Sequence, residues 1–340
     1  MNSIQKIYTL QLRYPFGISR GVSYEAHTAL FQLGDLGQGE SAPVRYKGQS
    51  PEDAVVLLEK MAAVVTGENI DDIDGLEARA LQIAPDHSSA RNAFNNALWD
   101  ARGRRLGKPI YELVGTARPT IETTYTVSLS DNDTMETRAR EAAHLPLLKV
   151  KLGRDMETDF DIMARIRKVA PKAVLRIDAN AGWSLETALA IIPKLADLGV
   201  EFIEQPLAIG NLDGLKTLHE KSPLPIVADE DAQDMSSLPG LRGRVAGINI
   251  KLTKCGGISE ALRMIAYARN EGWKVMFGCM LETRSGLGAA AHLGGLADCM
   301  DLDAHMLTTN DPFPPGSLAE FNAALPLGDG PGLGLPFVSF

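Results

Sequence analysis

The chain has 340 residues, enough for a large domain and a smaller one, and its 45% apolar and 6% aromatic content is that of a globular protein rather than a disordered or membrane one. A net charge of −9 leaves no Lys/Arg excess to displace phosphate counterions, which argues against a nucleic-acid partner while leaving an anionic small substrate open. No run reaches the roughly 18 consecutive apolar residues of a membrane span.

The start, MNSIQKIYTLQLRYPFG, alternates like a strand and lacks a signal-peptide pattern. Cys255, Cys279 and Cys299 form no CxxC spacing and cannot all pair with one another. A reduced, cytoplasmic compartment follows as the simplest expectation.

Residues 1–115 predict an α+β domain. IQKIYTLQLRYPF (4–16) and TALFQLGDLGQGES (28–41) resemble antiparallel strands around turns, and 51–66, 71–83 and 87–106 resemble helices. From there to about residue 309, short strand-like segments recur every 22 to 27 residues, the length of a repeated βα unit. They are TTYTVSL (123–129), LLKVKL (147–152), VLRIDAN (174–180), EFIEQP (201–206), PIVADE (225–230), INIKLT (248–253), KVMFGCM (274–280) and CMDLDAH (299–305). The segments between read as helices; in SLETALAIIPKLADLG (184–199), Ser184 is placed to cap the start and Gly199 to end it. Eight such units favour a closed α/β barrel over an open doubly wound sheet, since no GxGxxG loop follows a strand. The Pro- and Gly-rich tail, about 310–340, has no helical period and is expected to pack back on the first domain.

Charged residues fall where these strands end, the position of the active site in barrels of this kind. Lys149 and Lys151, Asp178 and Asn180, Glu204, Asp229 and Glu230, Lys251, and Asp301 with Asp303 occupy successive strand ends. Such side chains are rarely buried unless paired or bound to metal. Strand alternation puts Lys149 and Lys151 on one face, Arg176, Asp178 and Asn180 on one face, and Asn249, Lys251 and Thr253 on one face. Asp178, Glu204 and Asp229, 26 and 25 residues apart, form a set of hard oxygen ligands without His or Cys, which suits Mg²⁺. Lysines stand on both sides of that set. A carbon acid beside a carboxylate could lose its proton to such a lysine if the carboxylate were held on Mg²⁺ and the enediolate so stabilised. Lys149 is a nearby cation able to lower the pKa of Lys151. A base on each face permits inversion of the stereocentre. A lone acidic strand end would be read equally well as a helix cap or loop ion pair.

The motifs KVK (149–151), DAN (178–180), EQP (204–206), ADE (228–230), NIKLTKCGG (249–257) and GCMLETRSG (278–286), in this order, resemble the muconate-lactonizing branch of the enolase superfamily, as does ARNAFNNALWDARGRRLGKPIYELVG (90–115). The resemblance implies a (β/α)7β-type modified TIM barrel (116–309) behind an N-terminal α+β capping domain (1–115). It also implies one Mg²⁺ per subunit on Asp178, Glu204 and Asp229, and Lys151 and Lys251 as acid/base catalysts with Lys149 tuning Lys151. Lysine bases with a Mg²⁺-held enediolate are the superfamily's pattern. Within the branch the chain looks most like the L-Ala-D/L-Glu, or dipeptide, epimerases, because DLD (301–303) matches the pair that receives a substrate ammonium group there. Arg20 in FGISRG (16–21) sits where Ala-Glu-specific relatives carry an arginine for the glutamate carboxylate; an ordinary loop arginine is the alternative. Asn180, Glu230 and Lys254 resemble residues surrounding the metal ligands. Asp231 stands where relatives often have serine, and loop 41–50 matches only in part.

The resemblance implies a small dipeptide substrate and a homo-oligomer and, if that substrate is Ala-Glu, a role in murein peptide metabolism. The alternatives are an N-acylamino acid racemase, an o-succinylbenzoate synthase or a muconate cycloisomerase, whose substrates lack a free ammonium group, and a non-catalytic barrel that binds a carboxylate or metal. The histidines (27, 87, 144, 219, 292 and 305) show no paired metal spacing, although His305 follows the DxD pair and could line a pocket.

Overall fold

The computed structural model describes residues 3–120, 122–313, 323–324, 327–328 and 330–338. A three-stranded antiparallel sheet, β1 (Ile4–Ile18), β2 (Gly21–Leu33) and β3 (Gly37–Ser41), opens the chain and is followed by α1 (Pro51–Val64), α2 (Ile73–Ile83) and α3 (Ser88–Leu106). The β2 strand begins at Gly21 and not near Thr28; its exposed first residues, too mixed to signal a strand, are held by pairing with β1. The β3 strand lies flat on α3 because Gly37 and Gly39 lack side chains. A Cβ at either would come within 2.1 Å of a carbonyl oxygen of that helix.

The barrel strands are β4 (Tyr125–Val127), β5 (Leu147–Lys151), β6 (Val174–Asp178), β7 (Val200–Glu204), β8 (Ile226–Ala228), β9 (Gly247–Ile250), β10 (Lys274–Gly278) and β11 (Cys299–Asp301). They run parallel in chain order, and a bridge between Thr123 and Met300 closes the ring. Register sets Lys151 level with Asp178, and Asp178 level with Glu204. Helix Leu185–Asp197 carries its expected cap, with Ser184 Oγ accepting from Thr187 N at 3.0 Å, and Gly199 ends the turn at φ 72°. No helix among the described residues is long and apolar enough to cross a membrane.

Two local expectations are corrected. The link from β8 to β9 holds only the 3₁₀ turn Leu238–Leu241 and no helix, since Pro239, Gly240 and Gly243 break the run. The β9 strand ends at Ile250, and Leu252–Cys255 turns helically. Thr253 therefore does not alternate into the barrel with Asn249; its hydroxyl donates to Ala42 O, fastening the capping part to the barrel mouth.

The apolar interior divides into two large clusters. One joins capping residues such as Phe31, Leu58 and Phe94 to Ile248, Val275 and Met300 of the later strands; the other is built from β4 to β8 with their helices. The described part of the tail lies on the capping side. Leu333 N donates to Asp100 Oδ1 at 2.7 Å and Arg104 Nη2 to Leu335 O at 2.6 Å, while residues 314–322 of the expected tail lie outside the described residues.

Asp159 secures the turn after β5. Buried at the start of helix Met156–Val169, it accepts from Gly153 N, Arg154 N and Trp183 Nε1, each at 2.9 Å. Asp159→Ala is expected to lower stability by about 2–4 kcal/mol, because several buried donors lose their acceptor. Urea unfolding measures it, and a loss well under 1 kcal/mol would mean that water replaces the carboxylate.

Candidate active site

The C-terminal ends of the barrel strands open into a cavity of about 530 Å³, walled on its other side by residues of β1, β2 and the loop around Tyr46. At its base, which Asp229 lines and beneath which the other two lie, oxygen atoms of Asp178, Glu204 and Asp229 come within 4.8 Å of one another, all three side chains buried. Each is held by lysine. Lys151 Nζ lies 2.6 Å from Asp178 Oδ2, Lys251 Nζ 2.9 Å from Asp229 Oδ2, and Lys149 Nζ 3.3 Å from Glu204 Oε2. Lys254 is wholly enclosed and donates to the Asp229 carboxylate and to Ala232 O at 3.1 Å. Asn249 Nδ2 donates to Glu204 Oε1 at 2.7 Å.

Backbone strain surrounds this triad. Asn180, Ala181 and Gln205, which follow the first two carboxylates, have φ of 45°, 63° and 36°, and a left-handed non-glycine residue costs on the order of 1–2 kcal/mol. The turn takes Asn180 out of the expected alternation but keeps it on the site, with Nδ2 3.1 Å from Asp178 Oδ2. Gln205 accepts from Asp229 N at 3.0 Å and from Asp231 N at 3.2 Å, and donates to Asp231 Oδ2 at 2.7 Å. Asp231 is tied down there and by Gly210 N at 2.8 Å.

Burial and neighbouring charge set the protonation of the group. Burial raises Glu204, and Asp178 adds to it, to about 8. Burial also opposes ionisation of Asp229, but Lys251 and Lys254 outweigh it and hold that carboxyl well below its ordinary range. Asp178 is lowered in the same way: burial opposes, and Lys151 and Lys149 prevail. Lys251 stays above the usual lysine range because Asp229 and Glu204 overcome its burial. Lys149, expected to act on Lys151 as a neighbouring cation, sits among carboxylates: Asp301, Glu204 and Asp178 raise it against the cost of burial.

Asp301 is thus engaged before any substrate arrives, by Lys149 and by the Thr124 hydroxyl. Asp303 accepts from Thr126 N at 2.6 Å and lines the cavity; burial, helped by Asp301, raises it to about 6. Arg20 also lines the cavity, but its Nη2 lies 2.5 Å from Glu230 Oε1 and its Nη1 donates to Asn180 O at 2.8 Å. His305 is buried with Nδ1 against Leu302 O and is not among the cavity residues, contrary to the suggestion from its place in the sequence. Cys279 does reach the cavity, but burial raises its thiol well above the ordinary range.

Asp178, Glu204 and Asp229 fit a hard divalent cation. Two further buried oxygens, Asn180 Oδ1 and Glu230 Oε2, lack a hydrogen-bond partner beside them, as the surroundings of an ion and its bound waters would require.

The family model described as the mandelate racemase/muconate lactonizing enzyme N-terminal domain matches residues 5–115, and the one described as enolase C-terminal domain-like matches 134–338. The chain belongs to this mandelate racemase/muconate lactonizing enzyme family. It is 36% identical over 318 residues to a hydrophobic dipeptide epimerase of a Flavobacteria bacterium (strain MS024-2A), covering 89% of each chain. To the L-Ala-D/L-Glu epimerase of Escherichia coli it is 38% identical over 298 residues, covering 86% of this chain and 89% of that one. Among solved structures, the dipeptide epimerase from Enterococcus faecalis, complexed with Mg and the dipeptide L-Leu-L-Tyr, superposes with a TM-score of 0.94 at 30% identity, covering 98% and 99% of the two chains. Tyr46, Thr124 and Thr126 lie in no motif that singles them out, whereas Gln205 belongs to EQP (204–206) and Asn249 opens NIKLTKCGG (249–257), although neither motif on its own gives those two a role.

Proposed function

We propose that this family member is a Mg²⁺-dependent dipeptide epimerase that inverts the α-carbon of the C-terminal residue of a dipeptide such as L-Ala-L-Glu. The carrying observation is the buried triad with a lysine against each outer member, Lys151 at Asp178 and Lys251 at Asp229. The names and ligands of the relatives support the same chemistry.

Asp178, Glu204 and Asp229 would hold the cation, with Asn180, Glu230 and Lys254 around them. When bound, Mg²⁺ supplies positive charge to the substrate carboxylate, which makes the adjacent C–H acidic enough for a lysine. In one direction, neutral Lys151 Nζ takes the α-proton as the C–H bond breaks, and an N–H of protonated Lys251 delivers a proton to the other face. The reverse reaction exchanges these roles, and the pair is returned to its starting protonation through solvent. Because Asp301 is already paired with Lys149, Asp303 would carry most of the contact with the substrate ammonium group. Residues 1–115 with the tail would cap the site and 116–309 bear it. A cytoplasmic homo-oligomer acting on murein peptides completes the reading.

The test is a dipeptide library incubated in D₂O with Mg²⁺ and read by mass spectrometry for uptake of a single deuteron; absence of uptake with every dipeptide would end the proposal. Asp303→Asn is expected to lower kcat/KM for free dipeptides by about ten- to a hundredfold, the loss of a charge-assisted hydrogen bond. Acetylating the dipeptide's amino group should harm the parent by at least as much and the variant less, since one uncompensated carboxylate has gone. A parent that prefers the acetylated dipeptide would make an N-acylamino acid racemase the better reading.

A further inference from the structure

We propose that Glu282 is a positioning residue: sharing one proton with Glu40 of the capping domain, it fixes the cavity-lining segment Cys279–Leu281 against that domain. The role belongs to the proposed epimerase reaction and rests on that reading.

Neither carboxyl takes part in the proposed chemistry, and both are buried where β3 meets the loop after β10. Glu40 accepts from the Thr28 hydroxyl at 2.8 Å, from Thr283 N and Gly286 N, each at 3.0 Å, and from the Thr283 hydroxyl. It thereby caps the helix Arg284–Ala291 from 243 residues away, a place that suits an anion. One oxygen of Glu282 accepts from Met280 N at 2.8 Å. The other lies beside Glu40: a Cβ on Gly286 would come within 2.2 Å of Glu282 Oε2 and 3.1 Å of Glu40 Oε2. Two carboxyls this close and this buried do not both ionise at neutral pH. The donors around Glu40 favour the anion there, which leaves the proton on Glu282.

The surrounding charges agree. Burial raises Glu282 and the charge of Glu40 raises it further, to about 8, against Met280 N and Lys251. Lys251 is already held by Asp229 at 2.9 Å, and Arg284 faces Asp311. Asp301 and Asp303 stand beyond Cys279, whose own thiol is kept neutral by burial. Cys279, Met280 and Leu281 line the cavity together with Lys251 and Asp303. The wall that meets a dipeptide is therefore fastened to the capping domain by one proton, and ionisation of Glu282 sets two buried like charges against each other behind it.

The experiment compares the Mg²⁺-loaded parent with Glu282→Gln, which keeps the side-chain shape and an N–H to offer Glu40 but has no proton to lose. Folded Glu282 holds a proton that the unfolded chain releases near 4.5, so its contribution to stability is complete below that pH and is lost as pH rises through about 8. Relative to the variant, the parent's unfolding midpoint is expected to fall by about 3–6 °C between pH 5 and pH 9. For the best dipeptide substrate, KM of the parent should rise about tenfold more than that of the variant between pH 7 and pH 9.5, while kcat follows one profile in both, because the lysines are common to both. Parallel unfolding profiles overturn the shared proton, and parallel KM profiles overturn the positioning role. Should Glu282→Gln not fold, Glu40→Gln decides: with one of the opposed carboxyls gone, both pH dependences must be weaker than the parent's, and equal ones overturn the proposal. A parent active on no dipeptide is a different result, the failure of the epimerase reading; the unfolding comparison needs no substrate and still decides the proton pair.

Discussion

Lys151→Ala and Lys251→Ala are each expected to lower epimerisation by roughly a thousandfold or more, the scale of losing a positioned acid–base group on an obligatory face. The two losses should look different in deuterium exchange. Inversion needs both lysines, but exchange of the α-proton needs only the one that faces it. Each variant should therefore still wash deuterium into one stereoisomer of the dipeptide and not into the other, with opposite preferences for the two variants. The placement motivates this: Lys151 ends β5 and leans on Asp178, while Lys251 follows β9 and leans on Asp229 across the triad. Proton NMR of separate L,L and L,D dipeptides in D₂O makes the comparison. A variant that interconverts both isomers at near the parent rate would show that a single base suffices.

Chelation of Mg²⁺ is expected to cut turnover by roughly a thousandfold or more, since the acidity of the substrate depends on that charge, while leaving the barrel folded. The second half follows from the pairing at the base of the cavity. Each carboxylate of the triad already has a lysine: Lys151 for Asp178, Lys149 for Glu204, Lys251 and Lys254 for Asp229. Losing the metal does not strand three buried anions, which would otherwise be strongly destabilising. Far-UV circular dichroism should be unchanged, and the unfolding midpoint should fall by roughly 10 °C or less, the linkage expected from one bound ion. Full activity after verified metal removal would defeat the metal assignment, and unfolding on chelation would show that the lysines do not compensate the triad.

Much of this site could be read from residue order alone. Two-residue alternation in LLKVKL and VLRIDAN and the recurrence of charge at strand ends are local properties, and parallel register converts them directly into proximity; Lys151 and Asp178 are level because β5 and β6 pair in step. The rest depended on contacts between distant segments or on backbone geometry. Nothing in FGISRG announces that Arg20 will meet Glu230, 210 residues away, and nothing in LLKVKL that Lys149 will take Asp301 as its partner. The left-handed turns at Asn180, Ala181 and Gln205 are imposed by tertiary structure on residues other than glycine. By contrast, the missing helix between β8 and β9 had its signal in Pro239, Gly240 and Gly243, but the regular spacing of the strands outweighed it.

The division of the apolar interior has a consequence for the order in which the chain can assemble. The segment from Tyr125 to Ile226 closes its own cluster almost entirely from neighbours in sequence, whereas Phe31, Leu58 and Phe94 share theirs with Ile248, Val275, Met300 and Leu333. Contacts between distant segments carry the larger loop-closure cost and form late. During synthesis the middle of the chain can therefore condense as it emerges, while the first hundred residues, although made earliest and packed in part on one another, lack the rest of their apolar cluster until the last strands arrive. The portion translated first is thus among the last to be fully buried, and the face it turns to the later strands is where a chaperone would be needed.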